Sequence, residues 1–217
     1  MGSVTGTFDL LAVDYDKWFD SPEGRVLFEI EAEAVRLLMK DLEGPFLEIG
    51  VGTGRFAKEL GIEFGIDPSP KLLGMALKRG IKVRKARGGN PPFKDACFGA
   101  VFILFTLCFV KDPERVLSEA KRVLKPSGGL IIGIINGESL WGQLYMKKKT
   151  EGHPIYKHAR FYNVDEAVNM AQNTGLSIEA YSSTLCQPPA EMPYKEAAHK
   201  KFIEGAGFVC IKARKHN

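Results

Sequence analysis

Two near-continuous apolar segments constrain the fold of this 217-residue chain more than any other feature. FGAVFILF (98–105) and LIIGII (130–135) carry no charged residue, as expected for strands of a sheet that is covered on both faces. Between them, PERVLSEAKRVL (113–124) has the periodicity of an amphipathic helix, with Asp112 placed as its cap. A buried strand, a helix and a second buried strand joined by short links predict a parallel sheet wrapped by helices.

The same alternation extends along most of the chain. Further strands are predicted at PFLEIG (45–50), IEFGID (62–67), IKVRK (81–85), LSIEAYSSTL (176–185) and GFVCIKARK (207–215). Further helices are predicted over 22–39, 52–60, 69–80 and 163–175, the last with Asn163 and Glu166 at capping-box spacing. We expect a single domain whose parts are an N-terminal helical lid (1–43), a cofactor-binding core (44–136), a substrate-side insertion without clean periodicity (137–162) and a C-terminal helix with strands (163–217).

Composition excludes several classes of protein. The 30 basic and 26 acidic residues are interleaved and leave a net charge of only +4, so nucleic acid is not an expected partner. The four cysteines are far apart and form no zinc-type spacing with histidine, so we expect no metal. No apolar run reaches membrane-spanning length and no signal-like segment is present, which predicts a cytoplasmic protein without membrane contact.

The segment EIGVGTGRF (48–56) places a glycine-rich turn between a strand and a helix, where a ligand can approach the bare backbone. It lacks the Lys and Ser/Thr of the phosphate-cradling GxxxxGK[ST] loop, which excludes that class of site. Residues 52–57 do fit the looser dinucleotide fingerprint, and Asp67 ends the next strand. The turn alone therefore fits a dinucleotide as well as other adenosine-containing cofactors.

Glu48 favours one of these ligands. A pyrophosphate close to Glu48 would be repelled, whereas the sulfonium and amino groups of S-adenosylmethionine would be attracted. The Asp67 carboxylate could then accept hydrogen bonds from both ribose hydroxyls. Purely structural alternatives remain: the glycines could only shape the turn, Asp67 could only cap the next helix, and Glu48 could be a surface strand end.

With these residues the chain resembles the class I S-adenosylmethionine-dependent methyltransferases. The matching segments are EIGVGTGRF (48–56), GIDPSPKLLGMA (65–76), NPPFKDACFGAVFILFTL (90–107) and DPERVLSEAKRVLKPSGGLIIGI (112–134). In addition, residues 15–31 resemble the lid helix of many small-molecule members. The resemblance implies a doubly wound α/β fold of Rossmann-like type, with seven strands that are parallel except for an antiparallel last strand.

The resemblance also implies where the cofactor lies, across the carboxyl ends of the early strands. The expected cofactor-binding residues are Glu48, Gly50, Gly52, Gly54, Asp67, Pro68, Ser69, Gly88, Phe105 and Tyr15. Many relatives offer an Asp to the adenine amino group where this chain has Arg87. Adenine is therefore expected to rely on the Gly88 backbone and on apolar contacts.

The acceptor side is expected in the lid and in HPIYKHARFY (153–162). Methyl transfer from a sulfonium needs alignment and exclusion of water more than it needs a nucleophile, although a nitrogen or oxygen acceptor can need a base. His158 is the candidate base. Trp18, Tyr156, Arg160 and Tyr162 are the candidate substrate contacts, the alternative for all of them being ordinary packing on the sheet edge.

These observations predict a methyltransferase that uses S-adenosylmethionine, releases S-adenosylhomocysteine and acts on the nitrogen or oxygen of a small molecule. One alternative is a module that binds the cofactor without turnover. Another is an RNA or protein methyltransferase, which would need a basic face built from KVRKAR (82–87) and KKK (147–149).

Overall fold

The computed structural model describes residues 3–190 and 192–215, so the outermost ends of the predicted domain, 1–2 and 216–217, lie outside the described residues. Its strands are β1 Phe46–Ile49, β2 Phe64–Asp67, β3 Lys82–Lys85, β4 Phe98–Leu104, β5 Leu124–Ile135, β6 Leu176–Thr184 and β7 Phe208–Lys215. Its helices are α1 Val4–Trp18, α2 Pro22–Leu37, α3 Arg55–Leu60, α4 Pro70–Lys78, α5 Pro113–Val123, α6 Leu140–Thr150 and α7 Val164–Asn173.

All seven strands form one sheet in the order β3-β2-β1-β4-β5-β7-β6. The pairs from β3 to β5 are parallel, and β7 runs antiparallel to both β5 and β6. The predicted seven-stranded α/β fold with an antiparallel last strand is therefore confirmed. The chain winds outward from β1 in one direction and from β4 in the other, so a crevice forms where the carboxyl ends of these two strands meet.

Alternate residues of β4 divide the core into two layers. Val101 and Ile103 belong to a cluster with residues of α5 and α7, whereas Phe102 and Leu104 belong to a cluster with residues of α2 and α3. All four side chains are buried, which explains why β4 is apolar along its whole length.

The predicted helix caps are present. Ser69 accepts from the backbone N–H of Leu72 at the start of α4, and Asp112 accepts from that of Arg115 at the start of α5. In each helix the first residue is proline, whose missing N–H leaves no donor unsatisfied there. The caps fix the points at which the chain turns from the crevice into a helix.

Two features of the structure differ from the sequence-based expectations. In the lid segment 1–43 one helix is predicted over 22–39, whereas the structure contains two, α1 and α2. The insertion 137–162 is predicted without regular structure but contains α6. Only Trp141 and Gly142 of α6 are buried, and the Trp141 indole N–H donates to the Gln187 carbonyl over 2.7 Å. Such a narrow buried stripe leaves little periodicity for a sequence to reveal.

Replacing Asn163 tests the cap of α7. Its Oδ1 accepts from the Glu166 N–H at 2.8 Å, and Glu166 Oε2 accepts from the Asn163 N–H at 3.0 Å. We expect Asn163→Ala to lower the free energy of unfolding by about 1 kcal/mol and the melting temperature by about 2–4 °C, measured by thermal and chemical unfolding. Asn169→Ala, at an exposed position of the same helix, is the matched control and should leave both values unchanged or slightly raised, because alanine is the better helix former.

Candidate active site

The glycine turn after β1 leaves part of its backbone open. The N–H of Gly52 donates to Asp67 Oδ2 at 3.1 Å, and a side chain added at Gly52 would meet no described atom within 4 Å. By contrast, a Cβ at Gly54 would lie 2.9 Å from Ala76 of α4, so this glycine permits close helix packing. Both have positive φ, at 52° and 81°. Gly52 is thus the part of the turn that a ligand could approach.

Asp67 ends β2 beside this turn. Its second oxygen, Oδ1, accepts from the Ser69 N–H at 2.8 Å, and its side chain is buried. Burial raises the pKa of Asp67 to about 6, although the hydrogen bonds from Ser69 and Gly52 act in the opposite direction. Each carboxylate oxygen keeps a second lone pair, which leaves the predicted ribose contact open to it. Pro68 is half-buried in the same turn.

Glu48 turns inward from β1. It is 3% exposed, which excludes the alternative of a surface strand end. Within residues 3–190 and 192–215, Glu48 Oε2 is the one buried side-chain polar atom that has no hydrogen-bond partner. Burial, and next the charge of Asp67, raises the pKa of Glu48 well above its ordinary value. An unsatisfied buried acceptor costs about 1–3 kcal/mol, so this carboxyl group is suited to a ligand that brings a donor or a positive charge.

Gly88 and Phe105 follow the ends of β3 and β4. A Cβ at Gly88 would lie 2.7 Å from the Ile49 side chain, so only glycine fits this approach. Phe105 has φ 54°, a left-handed conformation that is rare for a bulky residue, and its ring stacks on Phe208 at a centroid distance of 4.7 Å. Such strained residues cluster at functional sites.

Helix α1 lies across the crevice. Asp9 Oδ1 accepts from Ser69 Oγ at 2.5 Å and from the Lys71 N–H at 3.1 Å, which holds α1 to the start of α4. Phe8 packs edge-on against Phe109 just after β4, and Thr7 Oγ1 lies 3.3 Å from His158 Nε2. The predicted lid therefore contacts the loops after β2 and β4 and the predicted base.

The other end of α1 is held by ion pairs, which we call the Asp16 latch: Asp16 with Arg55 and Arg79. Arg55 donates Nε and Nη2 to the two oxygens of Asp16 at 2.9 and 3.0 Å, and Arg79 donates Nη2 to Asp16 at 2.8 Å. Burial acts to raise the pKa of Asp16, but hydrogen bonds from Arg55, Thr53 and Arg79 lower it to about 2. Because Arg55 directly follows Gly54, the latch ties the lid to the glycine turn.

Tyr15 of α1 packs edge-on against Phe8 and Phe19 of the lid segment. Its side chain is half-buried, and its hydroxyl is enclosed. Burial, followed by the influence of Tyr156, Asp67, Glu48 and Glu31, raises the pKa of Tyr15. The predicted lid tyrosine is thus close to the acids of the glycine turn and also to residues further along the crevice.

The structure places the four predicted substrate residues in different surroundings. Tyr156 packs against Tyr145 at a centroid distance of 4.8 Å, on the same side as His158. Arg160 is exposed and pairs with Glu166 at 3.1 Å. Of the remaining two, Tyr162 is buried in the core, whereas Trp18 is exposed and packs edge-on against Phe19.

One buried residue that the sequence analysis passed over is Glu31 of α2. The acidic residues of this helix indicate a solvent-exposed face. Glu31, however, is only 6% exposed and lies one turn from the buried residues Leu27 and Val35. Burial alone raises the pKa of Glu31 to about 8, and no described residue gives it a hydrogen bond or an opposite charge. The only available signal is its i, i+4 spacing to those two apolar residues.

The described residues contain no group of three or more His, Cys, Asp or Glu placed to hold a metal ion. None of the helices in residues 3–190 and 192–215 combines the length and apolarity needed to span a membrane.

Comparison with known proteins identifies relatives along nearly the whole chain. The family model described as "Methyltransferase domain" matches residues 47–132. An uncharacterized protein of Mycobacterium tuberculosis is 45% identical over 203 residues, covering 93% of this chain and 71% of that protein. One from Methanocaldococcus jannaschii is 40% identical over 208 residues, covering 96% and 98%. The crystal structure of an S-adenosylmethionine-dependent methyltransferase of Thermotoga maritima, described as a possible histamine N-methyltransferase, superposes with a TM-score of 0.90 at 37% identity, covering 98% of this chain and 99% of that one.

Weakening the Asp16 latch should loosen the lid. We expect Asp16→Asn to speed backbone hydrogen exchange in residues 4–18 by about tenfold, because a charge-assisted bond worth about 1.5 kcal/mol is lost. Hydrogen exchange followed by mass spectrometry measures this effect. Asp14→Asn, which removes an exposed charge from the same helix, is the control. Equal exchange in both variants would show that the latch does not hold α1.

The buried acid of α2 predicts a pH dependence of stability. The pKa of Glu31 is about 8 in the folded chain against 4.5 ordinarily, so its stabilising contribution is full below about pH 4.5 and is lost as the pH rises through 8. Glu31→Gln removes this loss. We expect its stability relative to wild type to rise between pH 4.5 and 8.5, with full conversion of the shift giving an upper bound of about 5 kcal/mol. Chemical unfolding at several pH values measures the difference, and a constant difference would contradict the assignment.

Proposed function

Because this chain belongs to the class I S-adenosylmethionine-dependent methyltransferases, we propose that it methylates a nitrogen or oxygen of a small molecule inside the crevice that α1 covers. The observation that carries the proposal is the closure of this crevice by α1, which is held at Asp9 and by the Asp16 latch. A covered crevice suits a small acceptor better than a polymer, since a polymer needs an open surface.

The residues present fit S-adenosylmethionine. Glu48 Oε2 is buried without a hydrogen-bond partner, and the amino and sulfonium groups of this cofactor would supply a donor and a positive charge. The open backbone at Gly52 and the two oxygens of Asp67 would hold its nucleoside part. When bound, the cofactor supplies an electrophilic methyl group on a sulfonium, and S-adenosylhomocysteine is the product.

The chain's own contribution is alignment and exclusion of water. In-line displacement at a methyl group requires the acceptor atom to be held on the methyl side of the cofactor, in a site that water does not enter. Tyr15 in the lid and Phe105 after β4 are the aromatic residues beside this position that would favour a positive charge. His158, within 3.3 Å of the lid residue Thr7, stays the predicted base for an acceptor that must lose a proton.

The alternative of an RNA or protein methyltransferase is disfavoured by the contacts of its candidate basic residues. Lys82 lies over the ring of Phe64, and Arg84 donates to the Pro92 carbonyl. In α6, Lys149 donates Nζ to the Ala159 carbonyl at 2.6 Å. These contacts hold three of the seven candidate basic side chains against the chain itself, which weakens the cationic face that such an activity would need. The Thermotoga maritima relative, described as a possible histamine N-methyltransferase, also supports a small acceptor.

Calorimetry with S-adenosylmethionine and with NADH tests the cofactor assignment. We expect wild type to bind S-adenosylmethionine and not NADH, and Asp67→Ala to weaken this binding by about 10- to 100-fold, because hydrogen bonds to a charged group are lost. Asp165→Ala, on the exposed side of α7, should bind like wild type. Tight NADH binding, or unchanged affinity in Asp67→Ala, would contradict the assignment.

A further inference from the structure

Four elements bring titratable side chains toward Glu31. Glu31 itself projects from the face of α2 that carries Leu27 and Val35 into the core. Leu27 and Val35 belong to the buried cluster that contains Cys210 of β7, and Tyr15 of α1 and Tyr145 of α6 pack against this cluster. Tyr156 of the 3₁₀ turn Tyr156–His158 packs against Tyr145 at a centroid distance of 4.8 Å. The charge of Glu31 is also among the causes that raise the pKa of each of these four groups. We call Glu31, Tyr15, Tyr145 and Tyr156 the Glu31 cluster.

The carboxyl group in this cluster has no internal partner. Glu31 is 6% exposed, and no described residue offers it a hydrogen bond or a cation. Burial, with smaller contributions from neighbouring groups, raises the pKa of Tyr15, Tyr145, Tyr156 and Cys210, so the groups that face Glu31 are neutral at pH 7. A buried acid among neutral groups is stable as an anion only when a cation joins it.

The walls of the cluster are aromatic. The rings of Tyr145 and Tyr156 meet at a centroid distance of 4.8 Å, and Phe161 lies 5.9 Å from Tyr145 and 6.3 Å from Tyr156. Aromatic faces attract a cation more strongly where water is excluded. The ammonium group of Lys148 already lies over Tyr145, 5.3 Å from the ring centroid, so the other face of Tyr145 and the faces of Tyr156 and Phe161 are left for a cationic ligand.

We propose that the Glu31 cluster is the acceptor site and that its acceptor is a small primary or secondary amine, held as a cation by Glu31 among the three tyrosines. This deepens the proposed function and rests on it. The same cluster disfavours an anionic acceptor, which Glu31 would repel, and gives a neutral alcohol no charge to pair.

The position of Tyr15 connects this site to the cofactor side of the crevice. Tyr15, Tyr145 and Phe105, the residue after β4, pack against the same buried cluster, and the charges of Asp67 and Glu48 also act on Tyr15. An amine in the Glu31 cluster would therefore lie on the side of the crevice where Phe105 lies.

Glu31 also provides a destination for the proton that an ammonium group must lose. The N–H proton moves from the ammonium nitrogen to a Glu31 carboxylate oxygen, leaving a neutral amine with a free lone pair and a neutral carboxylic acid. Burial disfavours charged groups, so it favours this transfer, which replaces two buried ions by two neutral groups.

Calorimetry on the protein saturated with S-adenosylhomocysteine tests the amine site. The probes are 2-phenylethylamine and histamine, with 2-phenylethanol and 3-phenylpropionate as neutral and anionic counterparts. We expect wild type to bind an amine at least tenfold more tightly than the counterparts, and Glu31→Gln to lose that preference while keeping its affinity for S-adenosylhomocysteine. Glu33→Gln, the same change on the same helix at a half-buried position, should behave like wild type.

Proton release gives a second readout that a merely structural role of Glu31 would not produce. At pH 6.5 the Glu31 carboxyl is protonated in the absence of an amine, so binding of a cationic amine should release about one proton from wild type and none from Glu31→Gln. Calorimetry in buffers of different ionisation enthalpy measures the number of protons released. Equal binding of the amines and their counterparts, or an unchanged preference in Glu31→Gln, would overturn the amine site alone. Failure of wild type to bind S-adenosylhomocysteine would overturn the proposed function as well.

Discussion

A carboxyl group removed from water needs a donor or a cation, and this requirement organises the whole crevice. Glu48, Asp67 and Glu31 are all buried, and burial raises the pKa of each of them. Only Asp67 has both oxygens hydrogen-bonded within the chain. Glu48 and Glu31 thus lie at two places along one crevice, and no described residue compensates the charge of either carboxylate. The two ligands that we propose, a cationic cofactor and a cationic acceptor, would supply the missing positive charge at these two places.

The cationic side chains near the crevice are used on its outer wall instead. Arg55 and Arg79 pair with Asp16, and Arg55 pairs also with Asp20. These pairs satisfy the arginines outside the site and keep them away from Glu48. Charge is therefore sorted by position, with paired ions closing the lid and unpaired acids facing inward. The glycine turn lies between the paired ions and the unpaired acids, since Arg55 directly follows this turn.

The sequence was sufficient for the parts of the structure that follow from local patterns. Strand β4 was predicted because an unbroken apolar run of this length indicates a buried strand. The cap at Ser69 was predicted because a capping residue directly before proline indicates the start of a helix. Glu48 was predicted to face the crevice because it ends a strand ahead of the glycine turn. Glu31 could not be assigned in this way: its burial depends on α6, β6 and β7, which are distant from α2 in sequence. Helix α6 was missed because Trp141 and Gly142 alone are buried in it.

The two anchors of α1 have a kinetic consequence. Asp9 holds it to α4 and Asp16 holds it to α3, so the helix is fixed at positions two turns apart and cannot swing away about either one. A molecule that enters or leaves the crevice under α1 must wait until both attachments separate together. The ions at Asp16 are largely buried, so dissolved salt screens their attraction only weakly. The time needed for both attachments to separate would then limit how fast ligands enter and leave the crevice, and this limit would change little with the ionic strength around the protein.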